Sequence, residues 1–138
     1  MPEASLFEIV GGRDGVSELV EHFYRLVEAD TELRSVYPEE LEPGKTHLKL
    51  FFEQWLGGPP VYSEQFGHPR LRRRHFPFVI GDRHAGLWLR HMREAMQARC
   101  VPADSQRVIF ERLGPLARHM VNEGEDVPRE PITERFMQ

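Results

Sequence analysis

The stretch Asp14-Gly15-Val16-Ser17-Glu18-Leu19-Val20-Glu21-His22-Phe23-Tyr24-Arg25-Leu26-Val27 decides the class of fold. Its apolar residues Val16, Leu19, Val20, Phe23, Tyr24 and Val27 recur at i, i+3, i+4 and i+7, the spacing that gathers side chains on one face of an α-helix. Asp14 is placed to cap that helix, and the face needs a core to cover it.

Before it, Leu6, Phe7, Ile9 and Val10 make a short apolar window that stops at Gly11-Gly12, where residues without a β-carbon allow a tight turn. After it, Thr31 to Val36 reads as one or two helical turns, and Pro38 with the Glu-rich stretch to Gly44 reads as a surface loop. From Lys45 the helical pattern resumes, with Leu48, Phe51, Phe52, Trp55 and Leu56 on a face that Gly57-Gly58-Pro59-Pro60 ends. An irregular segment is expected to about Gly67. His68-Pro69 then reads as a helix entry with proline in the first turn, which puts His75 about two turns in, and Pro77 bars a long continuation. Gly81-Asp82 starts a helix carrying Ala85, Trp88, Leu89, Met92, Ala95 and Met96, which ends near Cys100. A last helix from near Asp104 offers Val108, Phe110, Leu113, Leu116, Ala117, Met120 and Val121, with a kink expected at Gly114-Pro115. The alternation of a half-buried strand is hard to find anywhere, so the expected class is all-α. No repeat or linker is visible. Residues 1–122 read as one domain, and the polar 123–138, with Pro128 and Pro131, as a tail that is partly disordered or lies against the surface.

A chain of 138 residues is long enough to bury a core of its own. Its single cysteine, Cys100, excludes an internal disulfide and any multi-cysteine metal site, and fits a reducing cytoplasm. No run nears the ~18 consecutive apolar residues of a membrane span. With 18 Lys and Arg against 22 Asp and Glu, the net charge of −4 supplies no field that would draw nucleic acid or an anionic membrane. The expectation is a soluble cytoplasmic domain without either partner. The basic run Arg70, Arg72, Arg73 and Arg74 reads mainly as a solvated helix face.

Seven histidines are present, yet none has the spacing of a zinc site, and no nucleotide-binding or hydrolase motif occurs. What stands out is polar-tipped aromatics among apolar neighbours: Tyr24 beside Phe23, Tyr37 before Pro38, and Trp88 inside a Leu/Met stripe. Each carries one O–H or N–H that needs a partner if buried. Any one of them reads as an ordinary core aromatic, and His75 alone as a packing residue. Read jointly, they are the set a flat apolar cofactor between helices would need, one nitrogen ligand on one side and hydrogen-bond donors on the other.

Gly11-Gly12, His22-Phe23-Tyr24, Val36-Tyr37-Pro38, Gln54 to Pro59, Tyr62-Ser63-Glu64, Gly67 to Leu71, Arg74-His75-x-Pro77-Phe78 and Trp88-Leu89, in this order, resemble the group II truncated haemoglobins. The resemblance covers about residues 5 to 122. It implies a two-over-two helical sandwich around haem b, with glycine pairs as hinges and a proximal helix reduced to a short piece. It makes His75 the iron ligand, with the Leu71 carbonyl as the candidate acceptor for its second nitrogen, and carries Phe78 along in the same motif. It places Tyr24, Tyr37 and Trp88 around the bound gas, and Leu48 and Phe51 above the haem. Gly44 matches a position that gates entry in many globins; a glycine there implies an open route, limited by Trp88, Lys45 and His47. Arg72 or Arg74 could pair with haem propionates, with Tyr62 and His68 as further candidates. The break at Gly114-Pro115 departs from the family pattern.

Donors aimed at the partial negative charge on bound O₂ make charge-assisted bonds of about 1.5–3 kcal/mol, so two of them slow release by on the order of a hundredfold. Such retention suits O₂, NO or peroxide chemistry or sensing better than bulk transport. An enzyme, a haem-dependent NO dioxygenase or peroxidase served by a reductase, is the second reading. A cofactor-free helical interaction domain is the third. CO would share the O₂ site. The two phenols and the indole could also bond one another and keep a donor from the gas.

Overall fold

The computed structural model describes residues 4–129. Its helices are α1 (Leu6–Val10), α2 (Gly12–Ala29), α3 (Thr31–Arg34), α4 (Glu42–Trp55), α5 (Val61–Phe66), α6 (Leu71–Arg74), α7 (Asp82–Ala98) and α8 (Ala103–His119), and no strand occurs among the described residues. The six apolar positions that mark α2 in the sequence are the six it buries. They meet Phe52 and Leu56 near the end of α4, Met92, Ala95 and Met96 of α7, and Ile109 and Leu113 of α8 in one core. Each side chain of this size, fully buried, contributes roughly 1.5–3 kcal/mol. α2 packs on α4 and on α7, and α7 packs on α8, which is the two-over-two arrangement.

The start of the chain is held by close approach. Ser5 caps α1 by accepting from the Glu8 amide at 3.2 Å, and the Phe7 amide donates to Leu56 O at 2.9 Å, docking α1 on the end of α4. Gly11, at φ +113°, closes α1 and opens α2, so Asp14 lies in the first turn of α2 and is not its cap. At Gly15 a β-carbon would stand 2.2 Å from the Val10 carbonyl oxygen, so only glycine lets the two helices meet there.

Four further expectations change. α4 begins at Glu42 with Pro43 in its first turn, so the loop after Pro38 is shorter than the prolines and glycine suggest. The segment before Gly67 is not irregular but contains α5. Its free amide at Ser63 is satisfied by the Gln54 side chain (2.9 Å), whose own amide donates to Ser63 Oγ at 2.8 Å, a cap supplied from another helix. α6 starts at Leu71 rather than at Pro69, because Arg70 adopts the left-handed conformation at φ +48°; His75 is therefore its C-cap, one turn in. α8 runs on through Pro115 to His119, with Leu113 and Ala117 buried on either side of the missing amide. Of the tail, residues 123–129 are seated on the protein as described below, and 130–138 lie outside the described residues.

α3 is fixed to α7 by polar contacts. Asp30 Oδ1 accepts from the Glu32 and Leu33 amides (3.0 and 3.2 Å), and Oδ2 meets His91 Nε2 at 2.7 Å. The His91 hydrogen bond, followed by the Leu33 amide, holds the Asp30 carboxyl below its ordinary value. A carboxylate depressed in the folded state stabilises it above the unfolded carboxylate range and loses that contribution as pH falls through the folded value.

Asp30→Asn is therefore expected to lose less stability than the wild type on going from about pH 5 to about pH 3. Urea midpoints measured across that range check it, and parallel acid limbs would count against the pair. Gly15→Ala is expected to cost about 1–3 kcal/mol by denaturant titration, through overpacking against Val10. A midpoint equal to wild type would show that α1 can shift freely.

Candidate functional site

α2, the loop after α3, and α7 bring three polar-tipped aromatics together. The Tyr24 and Tyr37 rings meet edge to face at 5.8 Å, and Phe23 joins Tyr24 (5.6 Å) to Trp88 (5.2 Å). Burial pushes both phenols far above the usual tyrosine range; the Trp88 indole, hydrogen-bonded to Tyr37, partly opposes this for Tyr37. Both hydroxyls are therefore protonated donors at any physiological pH. The indole hydrogen is engaged by Tyr37. The Tyr24 hydroxyl has no hydrogen-bond partner among the described residues, although Tyr24 is only 4% exposed.

Gly44 sits against that hydroxyl, since a β-carbon there would stand 3.1 Å from it. Rather than only leaving a route open, the glycine makes room for the phenol. Lys45 lies over the Tyr24 ring at 5.7 Å and is held by Glu21 (3.0 Å) and Glu42 (3.1 Å).

Gly44, His47, Leu48 and Phe51 are spaced i, i+3, i+4, i+7 and share one face of α4. His47 stands 4.5 Å from Phe66 and 6.0 Å from Tyr62 in ring contact, and Phe51 meets Tyr62 at 6.0 Å. Leu48, Phe51 and Trp88 are only half-buried beside the core. Arg74 donates to His47 Nδ1 at 2.9 Å, which requires that nitrogen to be unprotonated, and its guanidinium lies 5.7 Å from the Tyr62 ring centroid. Its Nε is buried without a partner. Burial raises the Tyr62 phenol, against the pull of Arg74. So α4 connects the Tyr24 hydroxyl at one end of its face with the Arg74 cluster at the other.

His75 follows Arg74. Its Nδ1 lies 2.6 Å from the Leu71 carbonyl oxygen, so that nitrogen carries the proton and donates, and Nε2 has no partner among the described residues. Burial lowers its basicity, partly offset by the Leu71 bond, and leaves the ring neutral near pH 7 with a lone pair on Nε2. The His75 carbonyl accepts from the Phe78 amide (3.0 Å) and from Asn122 Nδ2 (3.1 Å).

The remaining candidates stand apart. His68 is exposed and accepts from the Arg70 amide at 3.0 Å, which stabilises the turn into α6. Arg72 turns to the end of α8 and beyond it, donating to His119 O (2.9 Å) and pairing with Glu125 (2.7 Å). Asn122, Arg129 and Phe66 take part in these clusters without a sequence signal: Phe66 is hidden by the misread segment, and the two polar residues belong to a stretch with no apolar periodicity.

A haem fits this donor set. One neutral imidazole nitrogen is unused, the hydroxyl hydrogens of Tyr24 and Tyr37 lack an acceptor among the described residues, and one buried guanidinium N–H lacks a carboxylate. The comparisons agree. A profile of the bacterial-like globin family matches residues 5–122. The group 2 truncated hemoglobin YjbI of Bacillus subtilis is 40% identical over 114 residues, 83% of this chain and 86% of that one. The crystal structure of the group II truncated hemoglobin from Bacillus anthracis superposes with a TM-score of 0.85 at 38% identity, covering 89% of this chain and 95% of that one. The truncated oxygen-avid haemoglobin from Bacillus subtilis gives 0.80 at 39%, covering 86% and 100%.

With haem supplied during expression, the wild type is expected to show a Soret band and His75→Ala to lose it or to bind haem with altered ligation. A colourless wild type, or an unchanged His75→Ala spectrum, would remove the haem assignment.

Proposed function

Because the chain belongs to the bacterial-like globins and, among them, to the group II truncated haemoglobins, we propose that it is a haem b protein that retains O₂ for reaction or sensing rather than carrying it. Haem, when bound, supplies a ferrous iron that takes O₂ and other diatomic gases such as NO and CO.

The chain's own residues do the rest. His75 offers Nε2, while the bond from Nδ1 to Leu71 O fixes the ring and raises the basicity of the ligating nitrogen. Arg74, whose Nε lacks a partner, would take a haem carboxylate, with Tyr62 and His47 beside it. Leu48 and Phe51 present an apolar face to the ring system.

The observation that carries the reading is the Tyr24 hydroxyl: protonated, on a buried ring, and with no hydrogen bond to a described residue. A ligand atom with partial negative charge would complete it, for about 1.5–3 kcal/mol, which is roughly a ten- to hundredfold slower release. Trp88, bonded to Tyr37, serves as a second donor only where that pair opens. The Bacillus subtilis relative described as oxygen-avid supports the same direction. Slow release keeps O₂ available to a second small reactant, NO or a peroxide, with an external reductase needed for turnover. Among the described residues no helix is long and apolar enough to cross a membrane, and the exposed Cys100 thiol suits a reducing compartment such as the cytoplasm.

Tyr24→Phe is expected to raise the O₂ dissociation rate about tenfold or more by stopped-flow displacement with CO. Tyr37→Phe frees the indole, so its effect and that of Trp88→Phe should be non-additive in the double variant. Rates within twofold of wild type for Tyr24→Phe would show that the hydroxyl does not face the gas. Repeated NO oxidation by the oxy-protein in the presence of a reductase would favour the enzyme, and a single stoichiometric oxidation the binding protein.

A further inference from the structure

α6 is one turn long, and a helix of four residues does not hold its own shape in water. The direction in which His75 points is therefore set by whatever grips the backbone around it. Arg129 makes much of that grip. Its Nη1 donates to Asn122 Oδ1 (2.7 Å), Phe76 O (3.1 Å) and Phe78 O (3.4 Å), and its Nη2 to Asn122 O (2.8 Å) and Glu125 O (3.3 Å). Nη1 has two hydrogens for three oxygens, so the Phe78 contact is the weakest.

Asn122 is fully buried and stands between Arg129 and the proximal turn. Its Oδ1 also accepts from the Ile80 amide (3.0 Å), its Nδ2 donates to the His75 carbonyl (3.1 Å), and its own amide donates to Ile80 O (2.9 Å). Arg72, from α6 itself, reaches the same segment through Glu125. Every polar group of the turn from His75 to Ile80 that these residues touch is a backbone group, so the contact fixes position without regard to side-chain identity. Residues 123–129 lie beyond the stretch, residues 5–122, matched by the globin family profile.

We propose that residues 122–129 are a proximal strap and that Arg129 is a positioning residue, which acts through Asn122 and the Phe76 carbonyl to set the placement of His75 against the haem iron. The planar fork of guanidinium spans acceptors on two segments at once, which an ammonium cannot do. The strap replaces the helical turns that α6 lacks. It rests on the haem reading above.

The test uses the full-length holoprotein, with Arg129→Ala and Arg129→Lys. Arg129→Ala is expected to speed haem transfer to excess apomyoglobin about tenfold and to shift or broaden the iron–histidine stretching band of the ferrous protein. The C–O stretch of the CO complex, which reports the Tyr24 side, should stay as in wild type. Arg129→Lys, which keeps the charge without the fork, should fall between the two. An unchanged iron–histidine band in Arg129→Ala overturns the strap, including where global stability falls, since that fall alone is a structural effect. Where Arg129→Ala does not fold, a wild-type band in Arg129→Lys overturns it equally. A wild-type chain that takes up no haem fails at the first spectrum and overturns both this proposal and the functional reading, whereas a haem-loaded wild type with indistinguishable variants overturns the strap alone.

Discussion

The imidazole of His75 has to be presented in one orientation by a segment that cannot organise itself. Four residues of helix supply a single bond of use to the ring, from Nδ1 to Leu71 O at 2.6 Å, and the chain before that turn enters through a left-handed Arg70. Beyond the local turn bonds, among them Phe78 on its carbonyl, the segment is held from elsewhere: Asn122 on the same carbonyl, Arg72 across to the end of α8, and Arg129 on the carbonyls that follow. The consequence is that local order is transferred to long-range polar contacts in which charged guanidinium donors meet backbone carbonyls.

On the opposite side the arrangement is one of unequal donors. Three aromatic tips converge: the Trp88 indole hydrogen is engaged by the Tyr37 oxygen, while the hydroxyl hydrogens of Tyr24 and Tyr37 have no acceptor among the described residues. Gly44 on α4 makes the space for the Tyr24 hydroxyl, and the same face of α4 carries His47 and Phe51 towards Arg74 and Tyr62. A change on α4 therefore reaches both the Tyr24 cluster and the Arg74 cluster. The Asp30–His91 pair adds a further constraint, since it fastens the start of α3, and with it the loop that carries Tyr37, to the turn of α7 that follows Trp88.

Legibility followed the range of the interaction. The faces of α2, α7 and α8 could be read directly, because burial on one side imposes a 3.6-residue period on the residues themselves. α5 could not, because its N-terminal amide is satisfied by Gln54 from the preceding helix and no local cap marks it. Pro69 pointed to a helix start that the left-handed Arg70 moved to Leu71. At the site, Tyr24, Trp88 and His75 could be singled out as polar atoms in apolar surroundings, and the family resemblance tied them to haem. Arg72 was open to two readings, and its bonds to His119 O and Glu125 engage it at the end of α8. Asn122 and Arg129 gave no sign, since a lone amide and a lone arginine in a polar stretch look the same whether solvated or buried.

The residues in order thus determined the class of fold and the helices long enough to show a period, and singled out one imidazole and three polar-tipped aromatics. Tertiary structure alone decided that the indole hydrogen is engaged by Tyr37, where the short helices begin, and how the backbone at His75 is held. The division has a physical cause. Hydrophobic burial repeats along a helix and so leaves a pattern in the chain, whereas a hydrogen bond between residues 7, 27 or 53 positions apart, as for Arg129 with Asn122, Arg74 with His47, and Arg129 with Phe76, leaves none.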